Sequence, residues 1–230
     1  MNRLLPCSPS AAASPPAIAP AANSWYKTGC NVWLFPPLPR TLPEKAVYPQ
    51  TVILQNDMEV ELWPMTPDDA PALLEFYRAL PQEDLLYLRE DVTSAASMQR
   101  WIEGIESEQN WHLLAGYEGR IIADGELERQ FYGWSQHIGE LRIVVDRLFR
   151  NSGLSRLITN EILAQAVDEG LYKVMVQMTV DQRSAAHMFE RVGFRHEAVL
   201  KDHAKDQHGE LRDLVIMSYF TRDFLGLASA

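Results

Sequence analysis

An α/β domain built on one mixed sheet is the fold that this sequence predicts. Three observations predict it. From Met58 onward, runs with apolar residues at every second position alternate with runs of helical period. Their order reads β-α-α-β-β-β-α-β-α-β-β, which is an α/β pattern. No internal repeat, heptad or apolar run long enough to cross a membrane interrupts it.

Each element has its own signal. "MEVELWP" alternates and stops at Pro64. "TPDDAPALLEFYRAL" offers Thr66 as a cap and Pro67 at the first helical position. Its Leu73, Leu74, Tyr77 and Leu80 follow at helical spacing. "TSAASMQRWIEGIES" carries Met98, Trp101, Ile102 and Ile105 on one helical face. "WHLLAGYEGRIIADGELERQ" reads as a hairpin turning at Glu118–Gly119. "HIGELRIVVD" is the next strand, and "SGLSRLITNEILAQAVDEG" is a long helix closed by Gly170. "YKVMVQMTV" is a strand and "QRSAAHMFERVGF" a helix ending at Gly193. The last segment, Glu197–Phe220, reads as a hairpin turning near Gln207–Gly209.

Composition divides the chain near residue 45. Ten of the 14 prolines lie in the first 49 residues, and no acid precedes Glu44. That density breaks regular hydrogen bonding, so residues 1–45 are expected to be a Pro/Ala-rich disordered leader and 46–230 the folded domain. The lack of acid also fits an organellar targeting segment, although arginines are few. A net charge of −10 disfavours nucleic acid, whose partners need a basic face. The only cysteines, Cys7 and Cys30, lie in the leader. Their placement fits a reducing cytoplasm and leaves neither a disulfide framework nor a metal motif.

The segment with most chemical content is "FRNSGLSRLI", Phe149–Ile158, where a strand gives way to a helix through a glycine turn. Helix N-termini expose unpaired amides and partial positive charge, which suits a phosphate. Gly153 lets backbone approach a diphosphate, and Arg150, Arg156, Ser152 and Ser155 add cations and hydroxyls. Alone, such a turn is more often a plain helix start.

Its surroundings raise the odds. "VVDRLFRNSGLSRLI" (Val144–Ile158) resembles the acyl-CoA signature of the Gcn5-related N-acetyltransferase (GNAT) superfamily. "DQRSAAHMFERVGF" (Asp181–Phe194) is similar to that family's second motif, with Gln182 in the Asn place, Ala185 matching and Phe189 in the Tyr place. The likeness spans roughly residues 58–220. It implies a mostly antiparallel sheet of about seven strands whose fourth and fifth splay apart after a bulge. Acetyl-CoA would be the cosubstrate. Its pantetheine would lie along Ile143, Val144 and Val145, and its diphosphate on Arg150, Asn151, Ser152, Gly153, Leu154 and Ser155. Gln182, Ala185 and Phe189 would complete the cofactor wall, and the amide of Ile143 or Val144 would polarise the acyl carbonyl.

The resemblance further implies an amine acceptor, transfer by direct attack, and a homodimer through the last strands. The acceptor stays open among a protein lysine or N-terminus, a polyamine and an antibiotic. Glu140 is the first candidate for the base, with Glu126 and His137 behind it. Strand alternation puts Glu140 and Arg142 on one face and Leu141 and Ile143 on the other. Two departures matter. Ser155 replaces the family's last Gly or Ala, and Phe189 has no proton to give a leaving thiolate. They leave a second reading, an acyl-CoA sensor that binds without transferring. Trp134 is a candidate for the acceptor cleft or a dimer surface, and the His203–His208 region is a solvated hairpin or, less simply, a metal site.

Overall fold

The computed structural model describes residues 46–85, 88, 91–129, 133–206 and 209–224, all within one compact unit. The expected leader and the turn residues 207 and 208 lie outside them. One eight-stranded sheet organises this unit. The strands are β1 (Gln50–Ile53), β2 (Glu59–Pro64), β3 (Asn110–Tyr117), β4 (Arg120–Arg129), β5 (Ile138–Val145), β6 (Lys173–Thr179), β7 (Arg195–Lys205) and β8 (Leu211–Phe220). Their spatial order is β1-β2-β3-β4-β5-β6-β8-β7, and only the β5–β6 pair is parallel. The sequence called for seven strands. The eighth is β1, a four-residue edge strand paired only with β2, too short to carry a periodic signal of its own.

Helices cover both faces. On one face lie α1 (Ala70–Ala79), the four-residue α2 (Gln82–Leu85) and α3 (Ala95–Glu106). Thr66 begins this layer as expected: its amide and hydroxyl both reach Asp69 Oδ2 at 2.8 Å, holding a single 3-10 turn ahead of α1. Leu73, Leu74, Phe76 and Tyr77 of α1 are buried with Trp101 of α3, and Tyr77 stacks on Trp101 at 5.4 Å. On the opposite face, α4 (Leu154–Asp168) and α5 (Arg183–Val192) pack over Leu127, Leu141, Val174 and Val176. Both end alike. The amides of Leu171 and Phe194 return to Ala166 and Phe189 carbonyls around left-handed Gly170 and Gly193. The four-residue α6 (Thr221–Phe224) follows β8.

Gly125 fixes how closely α4 approaches the sheet. A Cβ there would stand 2.3 Å from Ile158 Cγ2 and 2.8 Å from Ile162 Cδ1. Gly125→Ala is expected to cost about 1–3 kcal/mol through overpacking, read as a lower urea midpoint at unchanged m-value.

The expected hairpin turn is present, with Glu118 and Gly119 both left-handed at φ 48° and 75°. The expected bulge falls elsewhere. Register between β4 and β5 runs unbroken from Ala123↔Val145 to Arg129↔Gly139. Register shifts lie instead between β3 and β4, where Ile122 is the extra residue, and between β7 and β8.

Candidate active site

The only parallel pairing in the sheet stops early. β5 meets β6 at Ile138↔Lys173, Gly139↔Val174 and Glu140↔Met175, and from Leu141 onward β5 pairs with β4 alone. A wedge therefore opens between Leu141–Val145 and Val176–Thr179, without a bulge to start it.

Alternation decides which backbone groups face the wedge. The Asp146 amide donates to Ile122 O at 2.9 Å, toward β4. His137 O on the opposite side accepts from Tyr172 and Lys173. Even-numbered residues of β5 therefore turn their amides to β4, and Leu141, Ile143 and Val145 turn theirs to the open edge. Of the two amides considered for the acyl carbonyl, that of Ile143 faces the wedge and that of Val144 does not. Side chains alternate too. Leu141, Ile143 and Val145 pack toward α4, whereas Val144 packs with α1 and α3, on the face shared by Glu140 and Arg142.

The strand runs through a 3-10 turn at Arg147–Phe149 into the glycine turn. Asn151 and Gly153 are both left-handed, at φ 62° and 91°, conformations that Asn tolerates and Gly adopts freely. Ser152 is buried. Its hydroxyl donates to Phe149 O at 2.6 Å and accepts from the Leu154 amide at 3.4 Å, so it braces the turn from inside. The amides of Ser155 and Arg156 belong to the first turn of α4, which has no acceptor one turn behind it. Gln55 closes the turn's outer side: its amide donates to Ser152 O at 3.2 Å, and its side chain lies where a Cβ on Gly153 would be, 3.3 Å away.

Arg150 spans the mouth of the wedge. Its Nε donates to Val145 O at 3.3 Å, and its Nη2 to Asp84 Oδ2 of α2 at 2.8 Å. Arg147 reaches the same carboxylate from Nε at 2.9 Å and Glu83 from Nη2 at 2.7 Å. Burial opposes charge on Asp84, but the two guanidiniums outweigh it and hold its carboxyl below the usual range.

Across the wedge, Gln182 Oε1 accepts from the Thr179 amide at 3.0 Å and so caps the β6–α5 junction. Ala185 is partly buried at the edge of the main core. Phe189 is 6% exposed and packs edge-to-face on Phe194 at 5.1 Å.

Glu140 is the last paired residue at the apex of the wedge, half-buried on the α1–α3 face. Glu126 on β4 stands opposite Arg142, accepts from its Nη2, and accepts from Asn110 Nδ2 at 2.5 Å. His137 precedes β5 at the closed end, its imidazole pushed down by burial and by Lys173. Trp134 is 94% exposed, two residues before the strand's approach at Gln136.

The same face holds a polar cluster absent from the sequence reading. His112 of β3 is fully buried, with Nδ1 3.0 Å from Asp124 Oδ1 and Nε2 3.4 Å from Glu126 Oε1. Tyr77 donates to Asp124 Oδ2 at 2.7 Å. Burial alone would depress His112, but Asp124 and Glu126 outweigh it and raise its pKa above the ordinary 6.5. Burial would raise Asp124, yet His112 and Tyr77 bring it below 3.8. The raised histidine stabilises fully below its ordinary value and loses that contribution as pH climbs through the raised one. The lowered aspartate stabilises above its ordinary value and loses that contribution as pH falls. The thermal midpoint is therefore expected to decline as pH rises above the ordinary histidine value, with the decline flattened in His112→Gln.

Among the described residues, no group of three or more His, Cys, Asp or Glu side chains is placed to hold a metal. No helix among them is long and apolar enough to cross a membrane. A groove lined by Glu59, Glu61, Trp63, Asp69 and Tyr117 shares none of the wedge residues.

A half-open parallel pair feeding a left-handed glycine turn is the arrangement implied by the sequence motifs. A model of the acetyltransferase (GNAT) family matches residues 70–194, more than half of the chain. The chain belongs to the GNAT acetyltransferase family. Solved GNAT structures share its fold. One is a GNAT-family acetyltransferase from Streptococcus pneumoniae, at 22% identity and TM-score 0.60 over 70% of this chain and 99% of that one. A ribosomal-protein-alanine N-acetyltransferase from Brucella melitensis aligns at 20% and 0.61, over 69% and 98%. A spermidine N-acetyltransferase chimera from Vibrio cholerae and hSSAT aligns at 17% and 0.61, over 72% and 98%. The GNAT fold thus accounts for the mixed sheet and its flanking helices.

Proposed function

We propose that this GNAT protein is an acetyl-CoA-dependent N-acetyltransferase that acylates a primary amine by direct attack in a ternary complex. The observation that carries the reading is the open edge Leu141–Val145 leading into the Gly153 turn. An extended amide-bearing arm fits that edge as an added strand, and a diphosphate fits the first-turn amides of α4 beside Arg150.

Acetyl-CoA supplies the acyl group already activated as a thioester. The chain's own residues supply the rest. The Ile143 amide, fixed by β4–β5 pairing, donates to the acyl oxygen as negative charge grows there. Glu140, at the wedge apex, takes a proton from the acceptor's ammonium, freeing the amine lone pair to attack the thioester carbonyl. Glu126 suits that task less well, because it is buried on β4, away from the open edge. Phe189 brings no proton to the departing sulfur, but a thiol with pKa about 8.5 leaves tolerably as the thiolate. The sensor reading therefore gains no support from the missing hydroxyl.

An amine acceptor accords with the carboxylates on the α1–α3 face, and with related folds named for acetylating spermidine and a ribosomal-protein alanine. The test is thiol release from acetyl-CoA with lysine peptides, N-terminal alanine peptides and polyamines. Release with at least one amine supports transfer. CoA binding without release from any of them supports the sensor.

A further inference from the structure

Arg147 and Arg150 converge on a single oxygen. Arg147 Nε and Arg150 Nη2 lie 2.9 and 2.8 Å from Asp84 Oδ2, while Arg147 Nη2 reaches Glu83 at 2.7 Å and Asp84 Oδ1 at 3.2 Å. Two guanidiniums repel each other unless an anion sits between them. Here that anion is a carboxylate from another part of the chain, 63 to 66 residues away. The clamp stands at the wedge mouth, since Arg150 Nε also holds the Val145 carbonyl at the end of the open edge.

We propose that Arg147 joins Arg150 as a two-arginine clamp for the diphosphate of CoA, and that Glu83 and Asp84 are built-in competitors which the diphosphate displaces. This rests on the cofactor reading above and names a residue, Arg147, that the turn motif does not include.

The sign follows from charge and geometry. A diphosphate offers more negative charge and more acceptor oxygens than one carboxylate, and guanidiniums favour such bidentate partners. A carboxylate and a phosphate cannot share these two cations without repelling each other. When the diphosphate takes them, α2 loses its ion-pair tether; none of its residues is fully buried, and Leu85 packs only in part against the α1–α3 core. Along the segment run local bonds from the Asp84 and Leu85 amides to Pro81 O at 2.9 and 3.3 Å and from the Leu88 amide to Leu85 O at 3.1 Å. α2 follows directly on α1, on the same sheet face as Glu140. Cofactor binding therefore loosens a segment on the acceptor side.

The experiment is calorimetric titration of the full chain with CoA, dephospho-CoA and pantetheine at low salt, beside amide exchange of the wild type. Asp84→Asn is expected to bind CoA about threefold to tenfold more tightly, as a removed competitor requires. Arg147→Gln is expected to bind CoA and dephospho-CoA about fivefold to tenfold more weakly while leaving pantetheine unchanged. A loss confined to CoA would assign Arg147 to the 3′-phosphate and overturn the diphosphate clamp. The exchange arm needs no variant: saturating CoA should speed exchange at the Asp84 and Leu85 amides. Weaker binding by Asp84→Asn would mean that the carboxylate pre-orients the arginines, and unchanged binding that it is a bystander. Either result, or slower exchange in α2, overturns the proposal. Wild-type protein with no affinity for CoA overturns the cofactor reading as well, and so is distinguishable.

Discussion

Gly153→Val is expected to raise the dissociation constant for acetyl-CoA by at least about tenfold. Gly153 sits at φ 91°, where an L-residue pays about 1–2 kcal/mol, and a β-branched side chain would also push on Gln55, 3.3 Å from its Cβ. A free-energy difference of 1.4 kcal/mol is about one decade in affinity. The strain is relieved by turning the peptide out of its left-handed state, which re-aims the amides meant for the diphosphate. Stability should fall only by the strain itself, about 2–4 °C per kcal/mol in the thermal midpoint for a chain of this size. Asn151→Gly makes the contrast. Asn151 is left-handed too, at φ 62°, so glycine there keeps the backbone and should keep the affinity.

Glu140→Gln is expected to lower kcat about 10²–10⁴-fold, the range for losing a positioned general base, with acetyl-CoA affinity unchanged. The isosteric amide preserves shape and removes only the ability to take a proton. Glu126→Gln should behave differently, because that carboxylate is the acceptor for Arg142 and faces His112. Removing one member of a largely buried ionic group costs about 3 kcal/mol, so Glu126→Gln should unfold at lower urea before any kinetic effect is interpreted. Steady-state kinetics and urea unfolding of the two variants separate the roles. A stable Glu126→Gln with the larger fall in kcat would exchange the assignments.

Much of this site was legible in the sequence, for a physical reason. The glycine turn, its cations and the strand before it are contiguous, and the capture they suggest uses main-chain amides whose positions follow from secondary structure alone. Helix starts and stops at Thr66, Gly170 and Gly193 were readable in the same way. Residues joined by register were not. His112, Asp124 and Tyr77 sit on three elements and meet only because Leu114 pairs with Asp124 and His112 with Glu126. A signal was nonetheless present, since His112, Asp124 and Glu126 are polar at alternating positions of strands otherwise apolar enough to be buried. Arg150 stands out beside the turn, but its pairing, and that of Arg147, with the α2 acids over more than 60 residues of sequence has no local signature. The bulge was misplaced because divergence of β5 from β6 requires only that their pairing end. It does not require an extra residue on the β4 side.

The claim beneath all of this is that one strand edge and one helix start together hold CoA through main-chain groups. Residue-resolved amide exchange with and without acetyl-CoA tests it most directly. Protection should appear at Ile143 and Val145 and at Ser155 and Arg156, while Val144, already turned to β4, stays as it was. Protection spread evenly along β5, or none at these amides despite saturation, would contradict the account.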